Sequence, residues 1–276
     1  MVVFESKSLD VYKNLAIEEY LLEQVTDLGP LLFLWRSASA VVLGKNQNPW
    51  KECRLDRMTQ DEVPLARRIS GGGTVYHDAG NLNYCVMVDR VSYQEDRAFE
   101  MVMQALASVG VQAERTGKSN LSVQGKKFSG NAFCFRKSRV MHHGTLLLNT
   151  DLNKLNYYLG SQFSDIKTAA IDSVPATVAN LGVNMEKMQR ALMTSFEKKY
   201  SDGAALKLQT DSVLGSEIEK YEKKQHSEMW RFGATPAFSI RFKGMYLEIQ
   251  KGVVVRAEGE KVSHCVNKPF WKCLFL

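Results

Sequence analysis

Residues 67–78 read RRISGGGTVYHD: the end of a short apolar run, then a serine and three consecutive glycines, then a second short run. Three glycines in a row bury nothing, so packing does not explain them. A backbone without Cβ atoms lets a ligand approach closely, and successive N–H groups turned into one concavity favour an anion. Arg67 and Arg68 precede the loop and add two cations that suit a phosphate or carboxylate, bidentately if the geometry allows. The loop is not a Walker A sequence, because no Gly-Lys-Ser/Thr closes it, and it lacks the GxGxxG spacing of a dinucleotide fold. The competing reading is a glycine-rich turn flanked by surface arginines.

Working outward, residues 64–69 are short and extended and run straight into the loop. Upstream, the apolar runs 31–35 and 40–43 read as a hairpin of buried strands that ends at Asn48-Pro49, since Pro holds the preceding residue extended. Residues 14–25 place Leu15, Ala16, Leu22 and Val25 near helical spacing. Downstream, TVYHD and LNYCVMV read as two strands joined at Ala79-Gly80-Asn81, and residues 95–109 carry Phe99, Val102, Met103, Leu106 and Val109 at the spacing of an amphipathic helix. NLSVQGKKFSGNAFCF and VMHHGTLLLN add further strands, with Gly125-Lys126 at a turn. Hairpins outnumber crossover helices, so the fold class is α/β (α+β), with a mixed, largely antiparallel sheet flanked by helices.

After about residue 180 the composition shifts. Asn184 stands where an N-cap would precede Met188, Leu192 and Phe196 at i, i+4 and i+8, and SEIEKYEKKQ reads as a solvated helix. FSIRF, MYLEIQ and VVVRAE follow as strands split by Gly244 and Gly252. The expected organisation is a large domain over 1–182 and a small α+β C-terminal domain over 183–276.

The composition sets limits on function. The 276 residues hold 36 Lys+Arg against 30 Asp+Glu, a formal charge of +6, with 45% hydrophobic residues, which is ordinary for a globular chain. The cations are not gathered into one stripe with interleaved aromatics, so no nucleic-acid partner is expected. No run of 18 apolar residues occurs, so no membrane-spanning helix is expected. Cysteines 53, 85, 134, 265 and 273 form no CxxC pair, which reads as reduced thiols and excludes a zinc knuckle.

Two other motifs offer chemistry. On a strand, Lys126 and Lys127 must point to opposite faces, so one can face a cleft and stabilise charge developing on a phosphoryl or acyl oxygen. His142 and His143 also face opposite ways and make a poor chelating pair, so no metal site is expected. His77 is open to a general-base role or to a structural one.

Together, RRISGGGTVYHDAGNLNY, GKKFSGNAF and HHGTLLLNTDL, in this order, resemble the signature blocks of the lipoate-protein ligase A and lipoyltransferase family. LFLWRSASAVVLGKNQNPWKEC at 32–53 and WRFGATPAFSI at 230–240 resemble two further blocks. The resemblance implies a fold related to biotin ligases and a small C-terminal domain. It also implies an acyltransfer enzyme that lipoylates one lysine on lipoyl domains, those of 2-oxoacid dehydrogenase E2 subunits and the glycine-cleavage H protein. Its substrates would be lipoyl-AMP, or ATP and lipoate with Mg²⁺.

Carried over by motif, Arg68 and the backbone of Gly73, Thr74, Val75 and Tyr76 would bind the nucleotide, with Ser70, Gly71 and Gly72 shaping the loop. Lys127 would be catalytic, touching both the activated carbonyl and the phosphate. Asn120 and His143 complete the set, although Leu121-Ser122 stand where the family has an aspartate. Leu32, Trp35, Val42 and Val75 are candidates for an apolar lipoyl slot. GGGTVYHD and SVPATVANL (173–181) are closer in wording to the mitochondrial lipoyltransferase. The expected function is therefore transfer of an already activated lipoyl group, with a complete ATP-dependent ligase as alternative and an inactive lipoyl-AMP or lipoyl-domain binding protein as a further one.

A monomer is expected, in the mitochondrial matrix if the source is eukaryotic and in the cytoplasm if it is bacterial. The tail VNKPFWKCLFL matches no family block, which leads to the expectation of a truncated or divergent C-terminal domain with an exposed apolar patch at Phe270, Trp271 and Leu274.

Overall fold

The computed structural model describes residues 1–201, 203, 206–259 and 262–273. In chain order the strands are β1 (Val2–Glu5), β2 (Leu31–Trp35), β3 (Ala40–Leu43), β4 (Leu65–Arg67), β5 (Val75–His77), β6 (Asn81–Asp89), β7 (Glu114–Thr116), β8 (Asn120–Val123), β9 (Lys126–Phe135), β10 (Arg139–Leu147), β11 (Asp165–Thr168), β12 (Lys207–Thr210), β13 (Phe238–Phe242), β14 (Met245–Gln250) and β15 (Val253–Glu258). The helices are α1 (Val11–Leu28), α2 (Pro49–Glu52), α3 (Leu55–Gln60), α4 (Glu95–Ser108), α5 (Leu152–Tyr158), α6 (Met185–Tyr200) and α7 (Glu219–His226).

The chain folds into two compact units, and they are interleaved along the sequence instead of meeting at 182/183. Residues 1–38, 77–152 and 175–222 form the first, and 39–76, 153–174 and 223–276 the second. The expected boundary fails because α6 buries Met188, Leu192 and Phe196 in the same core as Phe99, Val102 and Leu106 of α4. What composition marked as a new domain is a helix of the first.

The first unit is an eight-stranded sheet in the order β12-β1-β2-β6-β10-β9-β8-β7. Its β1 pairs run parallel, and every other pairing is antiparallel. Asp10 caps α1 by accepting from the Tyr12 and Lys13 amides, and Asn184 caps α6 through Lys187. At the β8–β9 turn, Gln124 and Gly125 both take positive φ, as a two-residue hairpin requires. Gly80 lies so close to the Asn149 backbone that no Cβ fits, which pins the turn before β6.

The second unit holds an antiparallel sheet, β11-β13-β14-β15, and a three-stranded sheet, β4-β3-β5. The expected 31–35/40–43 hairpin does not form. Its first run joins the large sheet through β6 and β1, and its second pairs in parallel with β4. Both runs are buried throughout, so hydrophobicity identified them as strands without specifying their partners. The expected apolar patch in the tail is also absent at Phe270, which is fully buried against Trp50 and Phe238, while Trp271 stacks on Phe232. Leu274 lies outside the described residues.

Within the large sheet His142 is buried among Phe99 and Phe133, with ring centroids 4.8 and 4.6 Å away, and its Nε2 lies 2.9 Å from Asn131 Oδ1. That oxygen also accepts from Tyr84 Oη, so Nε2 carries the proton and the ring is neutral. Burial, then the neighbouring His143 and Arg115, pull its pKa down to about 3. An unfolded histidine titrates near 6.5, so stability is complete above that pH and is lost as the pH falls toward 3. We predict that His142→Gln shows a shallower fall in urea midpoint than wild type between pH 6.5 and 4; parallel curves would contradict this account.

Candidate active site

The glycine loop belongs to the second unit, and Arg67 anchors it. The Arg67 side chain is wholly buried with no carboxylate partner among the described residues. Nε and Nη2 donate to Arg231 O at 3.0 and 2.7 Å, Nη2 also reaches Thr235 Oγ1, and Nη1 donates to Lys45 O at 3.1 Å and Gln47 O at 2.8 Å. Burial pulls its pKa down to about 10, which still leaves it protonated at neutral pH. Arg67 is therefore not a phosphate ligand, contrary to the sequence expectation. Its charge is spent on carbonyl oxygens that shape the 44–47 turn and the 229–233 segment, two of the blocks singled out in the sequence.

Arg68 braces the loop from within. Its guanidinium donates to Gly71 O at 2.7 Å, Gly73 O at 2.8 Å, Ser70 Oγ at 3.0 Å and Val42 O at 3.2 Å. The Ser70 carbonyl is held by the Lys45 amide at 2.8 Å. With the carbonyls turned inward, the amides of Gly71, Gly72 and Gly73 have no protein acceptor among the described residues. Three consecutive amides without a protein acceptor among the described residues are a donor set that suits an anion. Gly44 packs so tightly on the Gly72 carbonyl that a Cβ there would overlap it.

Two residues absent from the sequence-derived set hold this geometry. Gln47 Oε1 accepts from Gly44 N at 3.0 Å and Thr74 Oγ1 at 2.7 Å, and its Nε2 donates to Ser173 Oγ at 3.0 Å. Ser173 Oγ accepts the Thr74 amide at 2.9 Å. Nothing in the local pattern distinguished either from loop polarity. Tyr76 is buried, with Oη 3.0 Å from Ser39 Oγ, while Val75 is half-buried. Val42, offered as slot lining, is buried in β3.

The remaining candidates lie in the first unit. As alternation on a strand requires, Lys126 is exposed and Lys127 half-buried. The Lys127 backbone is clamped by residues 177–179, donating to Thr177 O at 2.9 Å and accepting from Ala179 N at 3.0 Å. Its ammonium occupies the space left by Gly130, where a Cβ would sit 3.2 Å from Nζ. Burial lowers its pKa, and no carboxylate pairs with it among the described residues. Asn120 stands opposite Gly130 on β8, so the sheet brings these two candidates onto adjoining strands. Leu121 is buried in the core and Ser122 Oγ bonds Thr116 Oγ1, so this segment offers no carboxylate to a divalent cation.

His143 belongs to a different cluster. Its Nδ1 lies 3.3 Å from both carboxylate oxygens of the buried Glu18, and Glu18 Oε1 also accepts from Trp35 Nε1 at 2.9 Å and Cys85 Sγ at 2.7 Å. Burial pushes the Glu18 pKa up, but the His143 charge and these hydrogen bonds outweigh it, so the carboxyl ionises below its ordinary range. Burial and Glu18 hold the Cys85 thiol protonated. The donor atoms of Glu18, Cys85 and His143 lie within 4.8 Å of one another, yet each is already satisfied by the others. Leu32 and Trp35, the other slot candidates of this unit, are both buried in β2 but on opposite faces: Trp35 reaches Glu18, whereas Leu32 packs in the core with Phe99 and Val102. His77 packs against Trp35 with centroids 5.4 Å apart.

The lipoyl protein ligase A/B catalytic domain matches residues 10–197. The chain belongs to that family. It is 38% identical over 249 residues to lipoate-protein ligase A of Bdellovibrio bacteriovorus, covering 86% of this chain and 73% of that protein. Among solved structures it resembles P. falciparum LipL1 in complex with lipoate, with a TM-score of 0.73, 28% identity, and 92% and 82% of the two chains covered. The fold is also that of a bipartite lipoate-protein ligase from Thermoplasma acidophilum, studied with its E2 lipoyl domain, at a TM-score of 0.67 and 23% identity over 83% of this chain and 94% of that one. The mixed sheet with flanking helices is thus the lipoate-ligase catalytic fold, and the protein is an enzyme of the lipoate-protein ligase class.

Because Arg67 serves four carbonyls and a hydroxyl from a planar fork, lysine cannot replace it. Arg67→Lys is expected to destabilise the protein by about 3 kcal/mol or more, the scale of an uncompensated buried charge. Urea denaturation checks this, and an unchanged midpoint would exclude the anchoring role.

Proposed function

We propose that this enzyme is an ATP-dependent lipoate-protein ligase that activates free lipoate and attaches it to a lysine of a lipoyl-domain protein. The observation that carries the reading is the row of amides at Gly71–Gly73 with no protein acceptor among the described residues, in a chain that is 38% identical to a lipoate-protein ligase. The transfer-only expectation rested on the wording of two short stretches, whereas the family match spans residues 10–197. The complex of LipL1 with lipoate, the unactivated acid, favours the ligase reading as well.

Lipoate attacks the α-phosphorus of ATP through a carboxylate oxygen and releases pyrophosphate, giving a mixed anhydride. The acceptor ε-amine, in its neutral form, then attacks the carbonyl carbon. A C–N bond forms, the C–O bond to phosphorus breaks, AMP leaves with the electron pair, and the amine proton passes to solvent. The glycine amides serve the phosphate. Arg68 acts by holding their carbonyls away, and Ser70 and Thr74 fix the two ends of the loop. Val75 and Tyr76 continue the nucleotide side, and Asn120 supports the Lys127 strand. Lys127, with no carboxylate partner among the described residues, stabilises the negative charge that develops on carbonyl and phosphate oxygens. His143, locked to Glu18, contributes to the acyl side as a fixed polar wall. The residues assigned here include no carboxylate, so Mg²⁺ would enter with the nucleotide, and no step is assigned to it.

The direct test incubates the protein with an unlipoylated lipoyl domain and either lipoate plus ATP or lipoyl-AMP, reading acceptor mass, alongside lipoate-dependent ATP–pyrophosphate exchange. A ligase modifies the domain in both arms and catalyses exchange; modification from lipoyl-AMP alone would restore the transferase reading. Lys127→Ala should lower turnover at least about 100-fold, the scale of one lost oxyanion donor, with the thermal midpoint preserved.

A further inference from the structure

The β9–β10 hairpin ends in Phe135-Arg136-Lys137-Ser138-Arg139, and the Arg90–Ser92 turn lies beside it through the bond from Arg90 N to Ser138 O at 2.7 Å. Val91 is 96% exposed and Phe135 54% exposed. Tyr93 meets Phe135 edge-on at 5.8 Å and the Arg90 guanidinium lies 6.0 Å from the Phe135 ring, so a rigid aromatic is held outward with cations around it. Of Arg90, Arg136, Lys137 and Arg139, only Arg136 has a carboxylate within ion-pair reach among the described residues, Glu19 at 3.8 Å. Behind the hairpin a groove of about 300 Å³ is floored by Leu22, with Glu19 and Glu23 on its α1 side.

We propose that this tip is a docking surface for the acceptor protein, which would present carboxylates to Arg136 and Lys137 and an apolar side chain to Phe135 and Val91. The proposal rests on the ligase reading, which requires a protein acceptor. An exposed aromatic flanked by arginines is the composition of an interface anchor with a charged rim. A nucleic acid fits less well, because Glu19 and Glu23 face the same groove and would repel its phosphates. Position is consistent with docking and not with chemistry. Residues 127 and 135 are eight apart on β9, roughly 26 Å at strand rise. That span is about the width of a small domain, so one acceptor can offer its lysine at one end of the strand and its acidic flank at the other.

The test compares wild type with Lys137→Glu, Phe135→Ser and the double variant, all at exposed positions. Calorimetric titration of an unlipoylated lipoyl domain should show affinity reduced about tenfold in the double variant, and a smaller loss at 0.5 M NaCl, as rim charges behave. KM for that domain should rise in parallel with kcat and ATP–pyrophosphate exchange unchanged. If affinity and KM shift less than twofold, the proposal is overturned. Loss of binding to a single-stranded 20-nucleotide probe, with lipoyl-domain affinity intact, would overturn it in favour of a nucleic-acid site. A wild type that binds the domain through this tip but catalyses neither exchange nor lipoylation would sink the ligase reading and leave the docking surface standing.

Discussion

The second unit is organised around one buried charge. Arg67 has no carboxylate partner among the described residues, and a guanidinium taken out of water needs its desolvation offset by hydrogen bonds. Carbonyls from two separate segments supply them: Lys45 and Gln47 on one side, Arg231 on the other. The return contact is Trp230 Nε1 to Arg67 O at 2.6 Å. Fixing the 44–47 turn in this way positions Gln47, whose amide then reaches Gly44, Thr74 and Ser173. The glycine loop thus inherits its shape from a residue that never touches its free amides.

This arrangement divides labour between adjacent arginines that the sequence could not tell apart. Both were natural phosphate ligands by type and position. In the fold, Arg67 faces away into the protein and Arg68 faces the loop's own carbonyls. The groups left without a protein acceptor among the described residues are therefore backbone N–H groups, which lose no side-chain entropy when a ligand arrives and cannot swing away from it. Glycine is required at 44, where a Cβ would overlap the Gly72 carbonyl, and at 72 by its positive φ, whereas a Cβ at Gly71 would meet open space.

Local features of the fold were legible in the sequence, and pairings across it were not. The helix over 95–109, the Asn184 cap and the strands split at Gly244 and Gly252 depend on periodicity and turn chemistry within a few residues, and they stand as read. The 31–35/40–43 hairpin and the 182/183 boundary depended on proximity in sequence standing in for contact, and both gave way to nonlocal burial. Glu18 and Cys85 illustrate the same limit at the site. A glutamate inside an amphipathic helix reads as solvated, and only the tertiary fold brings it to Trp35, Cys85 and His143.

The SVPATVANL segment shows why subtype wording is a poor guide to chemistry. Ser173 holds the Thr74 amide, and Val178 bridges the Lys127 backbone in parallel register. One run of six residues therefore carries a contact to the glycine loop and a contact to the Lys127 backbone. Substitutions along it alter how these two elements are held, whatever acyl donor is used, because neither contact involves the groups that separate ATP and lipoate from lipoyl-AMP. A difference in that donor has to be sought in what binds pyrophosphate, since the activated intermediate and its transfer to an amine are common to both reactions.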